Sequence, residues 1–362
     1  MTPANTPLER ALSEAGLDAL LITRDANQRY LEGYTGSECY LLASPRGRWL
    51  IADSRYTEQA AQECRTATVV QHRDPFPPYA EVIAALAKEQ GLKRIGFEKA
   101  VLTYAQFEAI SGELTKLEDT VFQPTEGHVE RLRMVKTAEE ITRIRTACAI
   151  SDQALQNTLV RIRDGMSELE LARELESQII HAGGDGVAFS TIAAFGARAS
   201  QPHAVPDAKV HLQRGDFILL DFGALYQGYR ADMTRTFVLG SATERQKSAY
   251  AAVLESQLKG IEALRPGAGG REPDAVSRQH LLDHDWPEFG YGVGHGVGLE
   301  IHELPFLSRK CDQALQPGMI LTVEPGVYIP QWGGIRIEDT VLVGDSGPEC
   351  LTRFPKDTLI EV

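Results

Sequence analysis

The stretch Ile218-Leu219-Leu220-Asp221-Phe222-Gly223 drives an apolar run straight into a carboxylate, and Tyr229-Arg230-Ala231-Asp232-Met233-Thr234-Arg235-Thr236-Phe237 brings a second one back. The link from Gly223 to Gly228 is compatible with a turn, so the two segments read as a hairpin with Asp221 and Asp232 meeting near its middle. Taken alone, two such aspartates could be solvated strand-edge groups. A carboxylate that ends an apolar run, however, is a candidate for burial.

Further motifs strengthen that second reading. Gly292-Val-Gly-His-Gly-Val-Gly-Leu-Glu-Ile-His302 alternates glycines around His295, which lets backbone approach closely and frees the imidazole to project into a crowded site. It has no Lys-Ser/Thr after the glycines and no strand-to-helix switch, which disfavours a phosphate loop. Ile320-Leu-Thr-Val-Glu-Pro-Gly326 again ends an apolar run in a carboxylate, Glu324. In Gly334-Ile-Arg-Ile-Glu-Asp339 the period-two alternation of a strand puts Arg336 and Glu338 on one face, where a plain surface ion pair is the alternative.

Four carboxylates (Asp221, Asp232, Glu324, Glu338) and one imidazole (His295) therefore each sit at a strand expected to be buried. If they converge, electrostatics sets a condition. Two unit charges about 4 Å apart repel by roughly 4 kcal/mol at an effective dielectric near 20, so protons or cations must neutralise the set. Two divalent ions match four negative charges. Mainly oxygen donors with one nitrogen and no thiolate suit manganese, cobalt or iron and also admit zinc.

Around this core the chain alternates helices and strands. Its first third places short apolar runs (Ala19 to Thr23, Cys39 to Ala43, Trp49 to Ala52, Ile95 to Phe97) between helical patterns near 54–63, 79–90 and 104–116. That alternation reads as a compact α/β domain. The pattern breaks at Thr125-Glu-Gly-His128, which gives domains 1–127 and 128–362. Thr137 and Glu140 are spaced as a capping box opening a long helix, and Ser167 and Glu170 repeat the device for a helix that stops at Gly183-Gly184. Strands follow at 216–223 and 230–239, helices at about 242–264 and 273–285, then strands at 291–301, 318–324 and 335–343. Helix, helix, strands, twice over, implies two similar αβ halves, so the fold class as a whole is α+β.

With 362 residues and 43% hydrophobic content the chain can bury a large core. No run of eighteen apolar residues is present, and the opening lacks a signal peptide's basic flank and apolar stretch, so a cytoplasmic protein with no membrane partner is expected. Five scattered cysteines without a C-x-x-C pair point to reduced thiols. The formal charge of -13 disfavours nucleic acid as a partner.

At these residues the chain resembles the pita-bread metallopeptidases, in the branch of Xaa-Pro aminopeptidases and Xaa-Pro dipeptidases (prolidases). Asp221-Phe-Gly, Asp232-Met-Thr-Arg-Thr, Gly294-His295-Gly-Val-Gly, Glu324-Pro-Gly and Arg336-Ile-Glu338-Asp match in order and spacing. Tyr30-Leu-Glu-Gly-Tyr-Thr-Gly-Ser37 and Asp53-Ser-Arg-Tyr56 resemble the branch's creatinase-like N-terminal domain, which methionine aminopeptidase lacks. The resemblance implies two divalent ions, with manganese or cobalt preferred and zinc or iron admitted. Asp221 would bind one, Asp232 and Glu338 would bridge both, His295 would complete one site and Glu324 the other. It implies a catalytic part for His203, His302, Glu324 and Arg336, and substrate contacts from Phe189, His203, His302 and Arg336. The implied substrates are Xaa-Pro dipeptides or peptides with proline second, and the implied assembly is a homodimer, with Asn27, Tyr30 and Tyr34 of the loop Arg24 to Tyr40 at its rim.

Two departures stand out. Many relatives have a histidine four positions before the metal-binding one, and here that place is Tyr291. Phe306 stands where some proline dipeptidases carry an arginine, which weakens recognition of a free carboxylate unless another cation such as Arg309 supplies it. Two rival readings stay open at this point: a catalytically inactive pita-bread binding or scaffold protein, and a metal-independent hydrolase of creatine-like amidines.

Overall fold

In the computed structural model, which describes residues 6–362, the apolar runs of the first third form one six-stranded sheet. Its spatial order is Thr68–Gln71, Gly47–Ala52, Tyr40–Ser44, Ala19–Ile22, Arg94–Glu98, Val121–Thr125. Ala19–Ile22 is apolar on both sides because both faces are covered. Ala19 and Leu21 pack with Ile83, Ala87 and Ile110 of the helices Tyr79–Glu89 and Tyr104–Leu114. Leu20 and Ile22, pointing the other way by the period of two, pack with Leu8 and Leu12 of the helix Pro7–Glu14. The chain divides between Arg133 and Met134, so this unit includes the short helix His128–Arg133.

The segment 24–40 departs from the expectation of a polar loop. Asp25–Glu32 is a helix whose inward residues Asn27, Gln28 and Glu32 are buried, and Tyr34 beyond it is 1% exposed. Asn27 bonds Glu98 and Arg133, and Glu32 bonds Arg48 and Thr66. Asn27 and Tyr34 therefore belong to the interior of this unit and form no rim.

Met134–Val362 is built as two successive αβ halves. The first has the helices Ala138–Leu159 and Glu168–His181, each opened by the capping box read from the sequence. Its sheet runs Ile360–Glu361, Met233–Val238, Phe217–Phe222, Ile192–Phe195 in space. The second has the helices Glu244–Glu262 and Arg271–Asp283, and a sheet ordered Glu303–Leu307, Gly294–Gly296, Ile320–Val323, Asp339–Gly344, Gly347–Cys350. In each half the helix pair packs together, with at least one helix against the strands. The resulting cores are Leu171, Leu175, Ile218 and Leu220 in the first, and Val253, Leu281, Leu321 and Val341 in the second. This is the two-halved αβ arrangement expected of a pita-bread domain, following in the sequence an α/β unit like the one expected of a creatinase-like domain.

Two strands differ from their expected extent. The run 291–301 is a strand only over Gly294–Gly296, and its ladder shifts register between His295 and Gly296. The run 335–343 breaks at Ile337-Glu338, because Gly333–Arg336 pairs with Gly326–Ile329 whereas Asp339–Gly344 joins Ile320–Val323. The crossing between two ladders sets Glu338 at a corner.

Candidate active site

The hairpin read from 218–237 is present: Asp221 pairs with Thr234 and Phe222 with Met233 in an antiparallel ladder. Asp232 lies one residue before that ladder, and its backbone N–H donates to Thr340 Oγ1 at 3.2 Å. Close approach here depends on glycine, since a Cβ at Gly223 would meet the Ala231 carbonyl oxygen at 1.8 Å.

His295 reaches the same place from the other half. A Cβ on Gly294 would lie 1.9 Å from the Thr322 carbonyl oxygen, so only glycine allows this strand to lie against Ile320–Val323. His295 Nδ1 is 3.1 Å from the Gly296 carbonyl, which can only accept, so Nδ1 donates and Nε2 is the nitrogen turned to the cavity. Nε2 stands 3.6 Å from Asp232 Oδ2 and 3.3 Å from Glu324 Oε1. Ligand atoms of Asp232, His295 and Glu338 all lie within 4.8 Å of one another. Asp221 and Glu324 flank this group without joining its tightest cluster.

Arg336 ties the carboxylates together. Nη2 donates to Asp221 Oδ2 at 2.5 Å, Nε to Thr234 Oγ1 at 3.0 Å, and Nη1 to the Pro202 carbonyl at 3.2 Å. Thr234 in turn donates to Glu338 Oε2 at 2.6 Å. On the opposite face of that strand, Arg235 Nη1 donates to the Glu338 carbonyl at 2.5 Å and Nη2 to Asp339 at 2.7 Å. Tyr291 lines the cavity and shares a 2.5 Å hydrogen bond with Tyr328, whose hydroxyl accepts from Arg336 Nη1 at 2.9 Å. Tyr328 was not singled out in the sequence. Thr234 could have been, because it stands two residues from Asp232 on the same face.

The four carboxylates, His295, Arg336 and Tyr291 line one cavity of about 870 Å³, within the usual range for small-ligand sites. Phe189, His203, His302 and Phe306 line it too, so all the sequence-derived site residues come together. The His295 and His302 rings meet edge-on with centroids 4.4 Å apart. Arg309 lies outside this lining and pairs with Glu288.

Negative charge in the cavity is compensated only in part, by Arg336. Burial, then the neighbouring carboxylates, pushes the Asp232 and Glu338 carboxyls well above the usual range, and burial raises Asp221 against the pull of Arg336. Burial opposes the His295 imidazolium, but Glu324, the Gly296 carbonyl and Asp221 together more than offset it and the pKa rises; His302 is lowered by burial and by His295. Asp221 Oδ1 is buried with no hydrogen-bond partner among the described residues. An orphaned carboxylate oxygen, a close Asp-His-Glu group and an imidazole with Nε2 turned inward fit divalent cations.

The comparisons agree. Residues 142–345 match metallopeptidase family M24, and residues 6–135 match the creatinase/prolidase N-terminal domain. The chain belongs to metallopeptidase family M24, and is thus a peptidase that works with divalent metal ions. It is similar to a solved Xaa-Pro dipeptidase from Bacillus anthracis, 40% identical with a TM-score of 0.93, each chain covered to 98%. A solved X-Pro aminopeptidase from Thermotoga maritima MSB8 is 36% identical with a TM-score of 0.89, again covered to 98% on both sides. The Xaa-Pro dipeptidase of Pyrococcus horikoshii is 34% identical over 350 residues, 96% of each chain.

Proposed function

We propose that this protein hydrolyses the bond between an N-terminal residue and a following proline, using two divalent ions, manganese or cobalt by preference. The observation that carries this is the convergence of four carboxylates and His295 in one cavity with His203 and His302. Asp232 and Glu338 would be shared by both ions, with Asp221 and His295–Glu324 completing the set. When bound, such ions polarise a carbonyl and bring the pKa of a water toward neutrality.

The chain's own residues supply the rest. Glu324, beside His295, is the proton carrier from the attacking water to the leaving proline nitrogen. His302 donates to the negative charge that develops on the carbonyl oxygen. His203 orients the proline side, and Arg336 fixes Asp221 while holding the Pro202 carbonyl next to His203. Phe189 gives the N-terminal side chain an apolar wall. Proline suits the site because its amide nitrogen carries no N–H and needs no acceptor.

Phe306 on the cavity wall, and Arg309 engaged by Glu288, leave the proline carboxylate without a dedicated arginine at those positions, so peptides longer than two residues are substrates as well. The scaffold and amidine-hydrolase readings have no observation in their favour, since all five donors are in place. The family resemblance also implies a homodimer in the cytoplasm; no helix among the described residues is long and apolar enough to cross a membrane. Hydrolysis of Ala-Pro, with metal content measured on the same sample, tests the reading. Turnover without bound metal would refute it.

A further inference from the structure

A second pair of imidazoles lies in the groove between the helices Glu244–Glu262 and Arg271–Asp283. His280 is in the last turn of the second helix, and His284 is its C-cap, four residues on. Their rings lie 4.2 Å apart between centroids with planes inclined at 38°. They share a cavity of about 930 Å³ with Glu255, Lys259, Asp283 and Trp286, none of which lines the catalytic cavity.

The hydrogen bonding fixes what the His284 ring can do. His284 Nδ1 is 2.8 Å from the His280 carbonyl oxygen, which can only accept, so Nδ1 donates and the Nε2 lone pair is left for another partner. A metal-bound imidazole is oriented in this way, one nitrogen on a backbone carbonyl and the other on the ion. His280 is only 9% exposed, and burial, His284 and Lys259 together outweigh Glu255 and Asp283 in holding it below the usual imidazole range. It is therefore a neutral ligand near pH 7. Capping the helix accounts for His284 but gives no role to a second imidazole held against it.

We propose that His280 and His284 form a site for one divalent transition-metal ion of the zinc, nickel and copper class, separate from the catalytic carboxylates. Histidines four apart on one side of a helix chelate such ions. Metal to nitrogen distances of 2.0–2.1 Å require the two donor atoms to stand ~3 Å apart, within reach of rings this close after a small side-chain rotation. Glu255 and Asp283 line the same cavity but are engaged by Lys259 and by Gln279, the latter at 2.7 Å, so the two imidazoles are the protein's ligands and water completes the coordination. The C-terminal end of the helix adds a favourable potential for a cation. Lys259 opposes binding, but its Nζ already leans to Glu255 at 3.4 Å and its side chain is free to swing into solvent.

The test is calorimetric titration of the metal-loaded enzyme with Ni²⁺. Wild type takes up one ion beyond those already held. His284→Ala, an exposed position whose replacement leaves the fold intact, weakens that uptake by at least ~10-fold while Ala-Pro hydrolysis measured before the titration is unchanged. His280→Asn gives the same result, and Cu²⁺ bound to wild type shows two nitrogen couplings by electron paramagnetic resonance, reduced to one in His284→Ala. Equal Ni²⁺ uptake by wild type and His284→Ala, or no extra ion in wild type, overturns the proposal. Since uptake is read directly, an enzyme inactive on Ala-Pro would count against the peptidase assignment alone.

Discussion

Lys136 Nζ lies 2.8 Å from Glu303 Oε1, and the two side chains are 1% and 3% exposed. Lys136 also donates to the Met134 carbonyl at 3.3 Å, so the ammonium is held on two sides. Glu303 directly follows His302, and its carboxylate lies so close beneath Gly298 that a Cβ there would meet Oε1 at 2.6 Å. The pair thus fastens the turn carrying His302 to the segment that leads into the helix Ala138–Leu159. Breaking a buried pair strands a charge and costs about 3–5 kcal/mol, whereas replacing both partners with apolar groups is often neutral. Lys136→Met should lower unfolding free energy by that amount in urea. Lys136→Met with Glu303→Leu should recover stability but not full turnover, because His302 has lost its anchor. A single variant as stable as wild type would show that the pair bears no weight.

His302→Ala should lower turnover by roughly 10²- to 10³-fold, the range for losing one oxyanion donor, and leave metal content unchanged. Steady-state kinetics alongside elemental analysis checks both. A variant that loses metal instead would make His302 a ligand.

Neutralising one cavity carboxylate should separate stability from activity. With the ions chelated away at neutral pH, Glu338→Gln is expected to melt at a higher temperature than wild type and to gain up to about 4 kcal/mol of stability, the repulsion of two unit charges 4 Å apart at an effective dielectric near 20. The same variant should be inactive when metals are restored. Equal melting of the two apoproteins would mean that the carboxylates do not repel as their burial indicates.

Substrate length follows from Phe306 and Arg309. Specificity constants for Ala-Pro-Ala should at least equal those for Ala-Pro, and Ala-Pro amide should behave as the tripeptide does. A tenfold preference for the free dipeptide, about 1.4 kcal/mol, would reveal a cation that reads the carboxylate.

The site was more legible in the sequence than the ladders around it. Asp221 and Glu324 each end an apolar run and His295 stands among glycines, so their burial follows from neighbours in the chain. Arg336 and Glu338 were expected on one face of one strand. They do face the same cavity, yet the strand breaks between them, because hydrogen-bonding partners at 337–338 change from one ladder to another and no local pattern records that. The helix Asp25–Glu32 carries no apolar signature because its inward side is polar: Asn27, Gln28 and Glu32 are buried by hydrogen bonds to groups outside the helix. Apolar periodicity cannot see such a face. Tyr328 and the His280–His284 pair likewise gain meaning only from what the fold sets opposite them.

The most direct measurement is elemental analysis of wild type, Asp232→Ala and Glu338→Ala, each assayed on Ala-Pro from the same preparation. The account predicts two divalent ions per active wild-type chain. Each variant should be folded by circular dichroism, depleted of metal and without activity, because each lacks a carboxylate that the account assigns to both ions. Two bound ions together with near wild-type turnover in either variant would contradict it.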